Sequence, residues 1–120
     1  MSGYKDLEIY VLAKKFAIDI HYYSLKLPKF ELYETGSQIR RSTKSVLFNI
    51  AEGYGRRRYI NEYVRFLIFS QASCDEAAAQ LELLLKLYPD IEFPKNIVDD
   101  CDKLGRKINK YIRFIESTQK

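Results

Sequence analysis

A run of three consecutive arginines is the feature of this sequence best suited to chemistry with another molecule. The run is Arg56, Arg57 and Arg58, and Tyr54 and Tyr59 flank it. The planar guanidinium group of arginine matches the geometry of phosphate oxygens, and tyrosine rings can stack on unpaired bases. The segment is therefore suited to binding single-stranded or looped RNA. The alternative interpretation is a solubilising turn, and the composition alone favours that turn.

Other cations near this run extend the hypothesis to a larger surface. Arg65 follows the run by one to two helical turns, and three more cations, Arg40, Arg41 and Lys44, lie on the predicted helix that precedes the run. The chain carries 20 Lys and Arg against 16 Asp and Glu, a net charge of +4, which permits an acidic partner without requiring one. The candidate nucleic-acid-binding residues are Arg40, Arg41, Lys44, Arg56, Arg57, Arg58, Tyr59 and Arg65.

Residue patterns for catalysis are weak in comparison. His21 is the single histidine, and its surroundings offer no triad partner for a serine or cysteine nucleophile. We interpret it as a partly exposed helix residue beside Tyr22 and Tyr23. Gly53-Tyr54-Gly55 lacks the Gly-Lys-Ser/Thr of a phosphate-binding loop, so we interpret it as a helix stop. We expect no catalytic residue and no small-molecule substrate.

Metal and cofactor sites are not expected either. Consecutive helical residues such as Asp99, Asp100 and Asp102 point apart, whereas a hard cation needs converging oxygens. Cys74 and Cys101 lie 27 residues apart without a CxxC motif, and we expect two reduced core thiols. No stretch approaches the roughly 18 uncharged residues of a membrane helix, and we expect a cytoplasmic protein without membrane contact.

The first two predicted helices follow from apolar spacing and from turn residues. Apolar residues recur at three- and four-residue intervals from Tyr4 to Ser24, and Pro28 follows the end of that segment. Thr35 and Gln38 fit a capping box at the start of the second helix, which we expect to run to about Tyr54. The expected inward residues are Leu7, Tyr10, Val11, Phe16, Ala17, Ile20 and Tyr23 in the first helix, and Ile39, Thr43, Val46, Ile50 and Gly53 in the second.

The third and fourth helices carry the clearest periodicity. The third ends before Pro89, and the fourth is expected to hold Pro94 in its first turn. The expected inward residues are Tyr63, Phe66, Leu67, Ser70, Cys74, Ala77, Leu81, Leu84 and Tyr88, then Ile97, Cys101, Leu104, Ile108, Tyr111 and Ile115. Short joints make consecutive helices neighbours, so we expect an all-α, antiparallel up-and-down four-helix bundle, with residues 1–120 in a single domain.

One stretch also resembles a known family. Ser37-Gln38-Ile39-Arg40-Arg41-Ser42, then Ser45 and Asn49-Ile50-Ala51-Glu52-Gly53-Tyr54-Gly55-Arg56, is similar to the signature of the four-helix-bundle proteins encoded in bacterial 23S ribosomal RNA intervening sequences (S23-like proteins). The similarity extends upstream to Tyr4-Lys5-Asp6-Leu7 and downstream to Gln80-Leu81.

This resemblance carries its own expectations. The family is similar in fold to the accessory proteins of diversity-generating retroelements, which assemble as homopentamers and bind a reverse transcriptase and nucleic acid. The resemblance implies a homo-oligomer, a pentamer, with RNA or a ribonucleoprotein as a partner and no enzymatic activity. It further implies that the signature residues Gln38, Asn49, Glu52 and Gly53 set helix packing or subunit contacts. From spacing alone, Asn49 and Glu52 are expected in a polar network, paired with each other or with an arginine such as Arg41.

The leading hypothesis is a non-catalytic, homo-oligomeric adaptor that binds structured RNA or a ribonucleoprotein through an arginine-rich surface. The first alternative is a protein-binding scaffold or assembly module without nucleic-acid affinity. A more remote alternative is a helical ribonuclease of the toxin type, whose hallmark is an arginine a few residues before a histidine. No arginine precedes His21 in this chain.

Overall fold

The computed structural model describes residues 3–119. Within that range the chain forms four long helices and two short helical segments, and no residue lies in a β-strand. These helices confirm the predicted all-α, four-helix-bundle fold. The elements are a 3-10 turn at Tyr4–Asp6, α1 at Glu8–Ser24, α2 at Lys29–Leu32, α3 at Thr35–Gly55, α4 at Ile60–Leu87 and α5 at Ile97–Ser117.

The four long helices pack in a cycle around one core. The neighbouring pairs are α1 with α3, α3 with α4, α4 with α5, and α5 with α1, so α1 lies diagonally across from α4. Between α3 and α4, Ser42 bonds to Gln80, whereas Ser70 bonds to the carbonyl of Val46. Along this contact, residue numbers on α4 therefore decrease as residue numbers on α3 increase. The body measures 50 × 26 × 22 Å.

The buried residues form one hydrophobic cluster, and α3, α4 and α5 bury the faces predicted for them. All five inward residues predicted for α3 are buried, although Phe66, Tyr88 and Tyr111 on the later helices are only half-buried. The prediction for the first helix was partly wrong, because Val11 is 54% exposed while Ile9 and Ala13 are buried. Leu7 is extended and separates the 3-10 turn from α1, so the buried stripe of α1 starts at Ile9.

The start of α3 differs from its prediction. Thr35 and Gln38 form no capping box, because Thr35 already lies in the helix and Glu34 precedes it without a side-chain bond. The amide of Thr35 instead donates to the carboxylate of Glu31, on α2, at 3.2 Å. Glu31 is buried and also accepts a hydrogen bond from the hydroxyl of Tyr88 at 2.9 Å. Helix α2, which was not predicted, therefore places a negative charge at the N-terminus of α3, where the helix dipole makes it stabilising.

The end of α3 and the start of α5 also differ from expectation. Gly53 and Gly55 both lie inside α3, neither has a positive φ, and the helix ends at Gly55, with Arg56 as its C-cap. Gly53 is buried against α4, and a Cβ at this position would lie 3.0 Å from the Cβ of Phe66. The glycine therefore allows α3 and α4 to approach each other closely. Pro94 lies outside α5, which begins at Ile97. None of the helices described within residues 3–119 is both long enough and apolar enough to cross a membrane.

Candidate nucleic-acid interface

The arginine joint, defined as Arg56, Arg57, Arg58 and Tyr59, connects α3 to α4. Three backbone hydrogen bonds shape it: the amide of Arg56 donates to Gly53 at 2.9 Å, the amide of Arg57 to Tyr54 at 3.2 Å, and the amide of Tyr59 to Arg56 at 2.9 Å. All four residues are exposed. The tight turn therefore presents the joint at one end of the bundle, where α3 and α4 meet.

Arg56 is held by its own chain. Its Nε donates to Glu52 at 2.9 Å and its Nη1 donates to Glu62 at 3.1 Å, so one guanidinium bridges α3 and α4. The same group lies 4.7 Å from the ring centre of Phe66. The hydrogen bond to Glu52 raises the pKa of Arg56. Arg56 therefore stabilises the joint. Because the two carboxylates offset its positive charge, Arg56 is poorly suited to binding a phosphate.

Arg57 and Arg58 are not paired with a carboxylate in this way. The guanidinium of Arg57 lies 4.0 Å from the ring centre of Tyr54 and donates to the Tyr54 carbonyl at 2.9 Å. Arg58 lies 5.8 Å from the ring centre of Tyr59, which is 65% exposed. Within residues 3–119, neither arginine lies within 4 Å of a carboxylate oxygen. Two uncompensated cations and an open aromatic ring thus stand side by side.

Arg65 lies beside the joint but is partly neutralised. Its Nη1 lies 3.6 Å from Glu62, which also binds Arg56, and its guanidinium lies 5.5 Å from the ring centre of Phe69. The side chain is 63% exposed. Arg65 can therefore add to the positive surface, although Glu62 offsets part of its charge.

The remaining candidate cations do not join this cluster. Arg41 and Lys44 are exposed on the outer face of α3. Arg41 and Gly55 are separated by about 21 Å along the helix axis, from the rise of 1.5 Å per residue. Arg40 is half-buried, and its guanidinium donates to Ser24 at 2.9 Å and to the carbonyl of Leu32 at 3.0 Å. Arg40 therefore fastens α1 and α2 to α3.

The signature residues lie mainly on the α3 side of the contact with α4. Asn49 donates to the carbonyl of Ser45 at 2.9 Å and to its hydroxyl at 3.0 Å, and that hydroxyl meets Ser73 on α4 at 2.8 Å. A polar network is therefore present. Glu52 pairs with an arginine, as one of the predicted alternatives had it, but with Arg56 in place of Arg41, and Asn49 bonds to Ser45 and not to Glu52.

Gln38 and Gly53 complete the signature set. The side chain of Gln38 is exposed, and its carbonyl accepts a hydrogen bond from Ser42 at 3.0 Å. Gly53 sits against Tyr63 and Phe66 of α4. Three of the four signature residues thus act on the packing or joining of α3 and α4.

Sequence reasoning missed the aromatic chain beneath the joint. The hydroxyls of Tyr63 and Tyr111 lie 2.8 Å apart, and the ring of Tyr63 lies 6.1 Å from Tyr54 and 6.0 Å from Tyr111. Burial, followed by this hydrogen bond, raises the pKa of Tyr63. Both tyrosines were predicted as inward residues, but helical periodicity gives no partner for a hydroxyl. The chain of rings fixes α5 beneath the joint.

The residues considered for catalysis and metal binding lie elsewhere. His21 is half-buried on α1, with its ring 5.3 Å from that of Tyr22. Cys74 and Cys101 are buried free thiols, as expected for core residues. Within residues 3–119, no group of three or more His, Cys, Asp or Glu side chains is placed to hold a metal ion.

Comparison with known proteins identifies a matching family. No curated protein matches the chain significantly. The model of the family described as 23S rRNA-intervening sequence protein matches residues 5–110, from the 3-10 turn to the second half of α5. Since this match covers most of the 120 residues, the chain belongs to the 23S rRNA-intervening sequence protein family.

Proposed function

We propose that this protein is a non-catalytic, homo-oligomeric adaptor that binds structured RNA or a ribonucleoprotein through the arginine joint. The observation that carries the proposal is the pair Arg57 and Arg58, exposed, uncompensated by carboxylates and adjacent to the open ring of Tyr59. The guanidinium groups suit phosphates, and the ring suits an unpaired base. The family description, which names a ribosomal RNA insertion, supports RNA as the partner to test first.

The structure limits how much charge one subunit can offer. Arg56 is bridged by two carboxylates and Arg40 is used inside the fold, so the joint contributes two full cations, Arg57 and Arg58. Two phosphate contacts per subunit give weak binding at physiological salt. A homo-oligomer repeats the same patch around a symmetry axis, and a pentamer would engage on the order of ten phosphates. Oligomerisation would therefore raise the affinity of a surface that contributes only two free cations per subunit.

A protein-binding scaffold without nucleic-acid affinity is the second candidate. The observation that favours it is the number of large apolar side chains on the outside of the bundle, Phe48 at 60% exposed and Ile18 at 48% among them. Contiguous exposed apolar groups on a protein surface mark sites of contact with other proteins. In this account the arginines serve only solubility.

A titration with labelled RNA separates the two. We expect fluorescence anisotropy of a labelled, structured ribosomal RNA fragment to report binding that the double variant Arg57→Glu, Arg58→Glu loses. The matched control is Lys95→Glu, Lys103→Glu, which changes the charge equally at exposed positions just before α5 and in its first half, at the end of the bundle opposite the joint. Binding that both variants lose equally would reflect net charge alone. The absence of binding by the unmodified protein would favour the scaffold.

A further inference from the structure

The outer face of α1 and α3 carries an apolar groove whose rim is basic. The groove has a volume of about 270 Å³, and its titratable lining groups within residues 3–119 are all basic or histidine. Ile18 and Phe48 are 48% and 60% exposed and line the same groove, so they form a contiguous apolar surface and not isolated exposed side chains. The lining residues used below are Lys14, Ala17, Ile18, Lys44, Leu47 and Phe48.

The apolar surface continues along α1 beyond the groove. Val11, Ile18 and Leu25 recur at seven-residue intervals, and each is about half exposed. This spacing places them on one face of the helix, and it spans about 21 Å at 1.5 Å per residue. A stripe of this spacing and length is the seam that a helix presents to another helix.

The outer face of α4 has the opposite character. Ile68, Leu83 and Leu87 are 50%, 51% and 52% exposed, and Ala72 and Ala79 lie between them on the same face. Exposed carboxylates border this ridge at Asp75, Glu76 and Glu82, and the exposed cation Lys86 lies on the same face near the end of α4. Ile68 and Leu83 lie about 22 Å apart along the helix, close to the length of the α1 stripe. The small alanines allow another helix to approach closely.

The charges on both surfaces are unmatched within the chain. Across the described range, Lys14 and Lys44 are more than 4 Å from every carboxylate oxygen. The carboxylates of Glu76 and Glu82 are likewise more than 4 Å from the charged nitrogens of every lysine, arginine and histidine in that range. Since α1 and α4 lie diagonally across the bundle, one copy cannot bring its own ridge to its own groove. Two copies can do so, because cations then meet carboxylates around an apolar seam.

We propose that the α4 ridge of one copy docks into the α1–α3 groove of the next. The inference rests on the homo-oligomeric part of the proposed function and does not depend on RNA binding. Groove and ridge are different surfaces, so the contact is heterologous, and successive copies continue head to tail until rotation closes a ring. The arginine joint lies at one end of the bundle, outside both surfaces, and stays open in such an assembly.

Exposed single substitutions test each surface without touching the core. Phe48→Glu places a carboxylate in the groove against the acidic ridge, and Leu83→Lys places an ammonium group in the ridge against the basic rim of the groove. Phe114→Glu is the matched control for Phe48→Glu, because Phe114 is also a phenylalanine at 60% exposed and lies on α5, outside both surfaces. By light scattering on a sizing column at micromolar concentration, we expect Phe48→Glu and Leu83→Lys to be monomers, while Phe114→Glu keeps the mass of the unmodified protein.

Mixing the two variants gives the decisive result. Each retains one intact surface, so a heterologous contact predicts a one-to-one heterodimer of about twice 14.2 kDa. A mixture that stays monomeric, or variants that alone keep the mass of the unmodified protein, would overturn the proposed interface while leaving the oligomer itself standing. A monomeric unmodified protein would overturn both the interface and the homo-oligomeric part of the proposed function. Circular dichroism of each variant checks that the bundle remains folded.

Discussion

The contact between α3 and α4 at Gly53 predicts an unusual response to the smallest of substitutions. In Gly53→Ala the new Cβ would lie 3.0 Å from the Cβ of Phe66 and 3.2 Å from Cδ1 of Tyr63. Carbon atoms in ordinary contact lie about 3.5–4.0 Å apart, so the gap must widen by about 0.5 Å. The Cβ of Phe66 cannot rotate away, since it is fixed to the backbone of α4. The two helices must therefore separate locally.

The magnitude follows from two opposing effects. Overpacking of this kind costs about 1–3 kcal/mol, while replacing glycine by alanine inside a helix gains up to about 1 kcal/mol. We expect Gly53→Ala to be destabilised by about 1 kcal/mol. In the control Gly105→Ala, the new Cβ has its nearest neighbours at 3.7 Å and 3.8 Å, so it should gain about 0.5–1 kcal/mol. The two variants should differ by about 2 kcal/mol.

Thermal or urea unfolding followed by circular dichroism measures this difference. A change of 1 kcal/mol shifts the midpoint of a chain of this length by about 4 °C, so the two variants should melt about 8 °C apart. If Gly53→Ala were stabilised as much as Gly105→Ala, the close approach of α3 and α4 would be refuted. The resemblance between this position and the family signature would then need another explanation.

Two other polar contacts lead to predictions about stability. Glu31→Gln should lower the free energy of unfolding by about 1–2 kcal/mol, because the carboxylate accepts bonds from both Thr35 and Tyr88; urea titration measures it. Burial opposes ionisation of Glu31, but these bonds together hold its pKa below the ordinary value. The ionised carboxylate therefore stabilises the fold above about pH 4.3, and this contribution is lost as pH falls through the lowered pKa. Acid unfolding should accordingly show a smaller loss for Glu31→Gln than for the unmodified protein, and an equal loss would contradict this role. Tyr63→Phe should cost about 1 kcal/mol by leaving the hydroxyl of Tyr111 without its partner, whereas an unchanged urea midpoint would mean that water replaces the bond.

Apolar periodicity was sufficient to predict the fold class and most buried residues. Ile39, Val46 and Ile50 on α3 follow the 3.6-residue period, and the structure buries all three. The period failed on α1 because the 3-10 turn and the extended Leu7 precede the helix, which moves its buried stripe to Ile9 and Ala13. Helix ends were harder to predict, since the carboxylate that meets the start of α3 comes from another helix.

The sequence could not show which arginines are paired with carboxylates and which remain free to bind another molecule. Nothing in the sequence distinguishes Arg56 from Arg57 and Arg58. In the described part of the chain, Arg56 alone of the three contacts two carboxylates, those of Glu52 and Glu62, because the turn between α3 and α4 brings them together. Arg40 looked like its neighbour Arg41, but the helical period turns it towards α1, where it binds Ser24. Which cations remain open therefore depends on tertiary contacts.

The salt dependence of RNA affinity tests the proposed function most directly. With Arg57 and Arg58 as the two open cations, each engaged subunit should contribute about −1.4 to the slope of log affinity against log salt for unpaired RNA. A fluorescence anisotropy series from low to physiological salt measures that slope for the unmodified protein. We predict a steep decline, with a slope that is several times −1.4 if several subunits bind together. An affinity that does not change with salt would contradict the account.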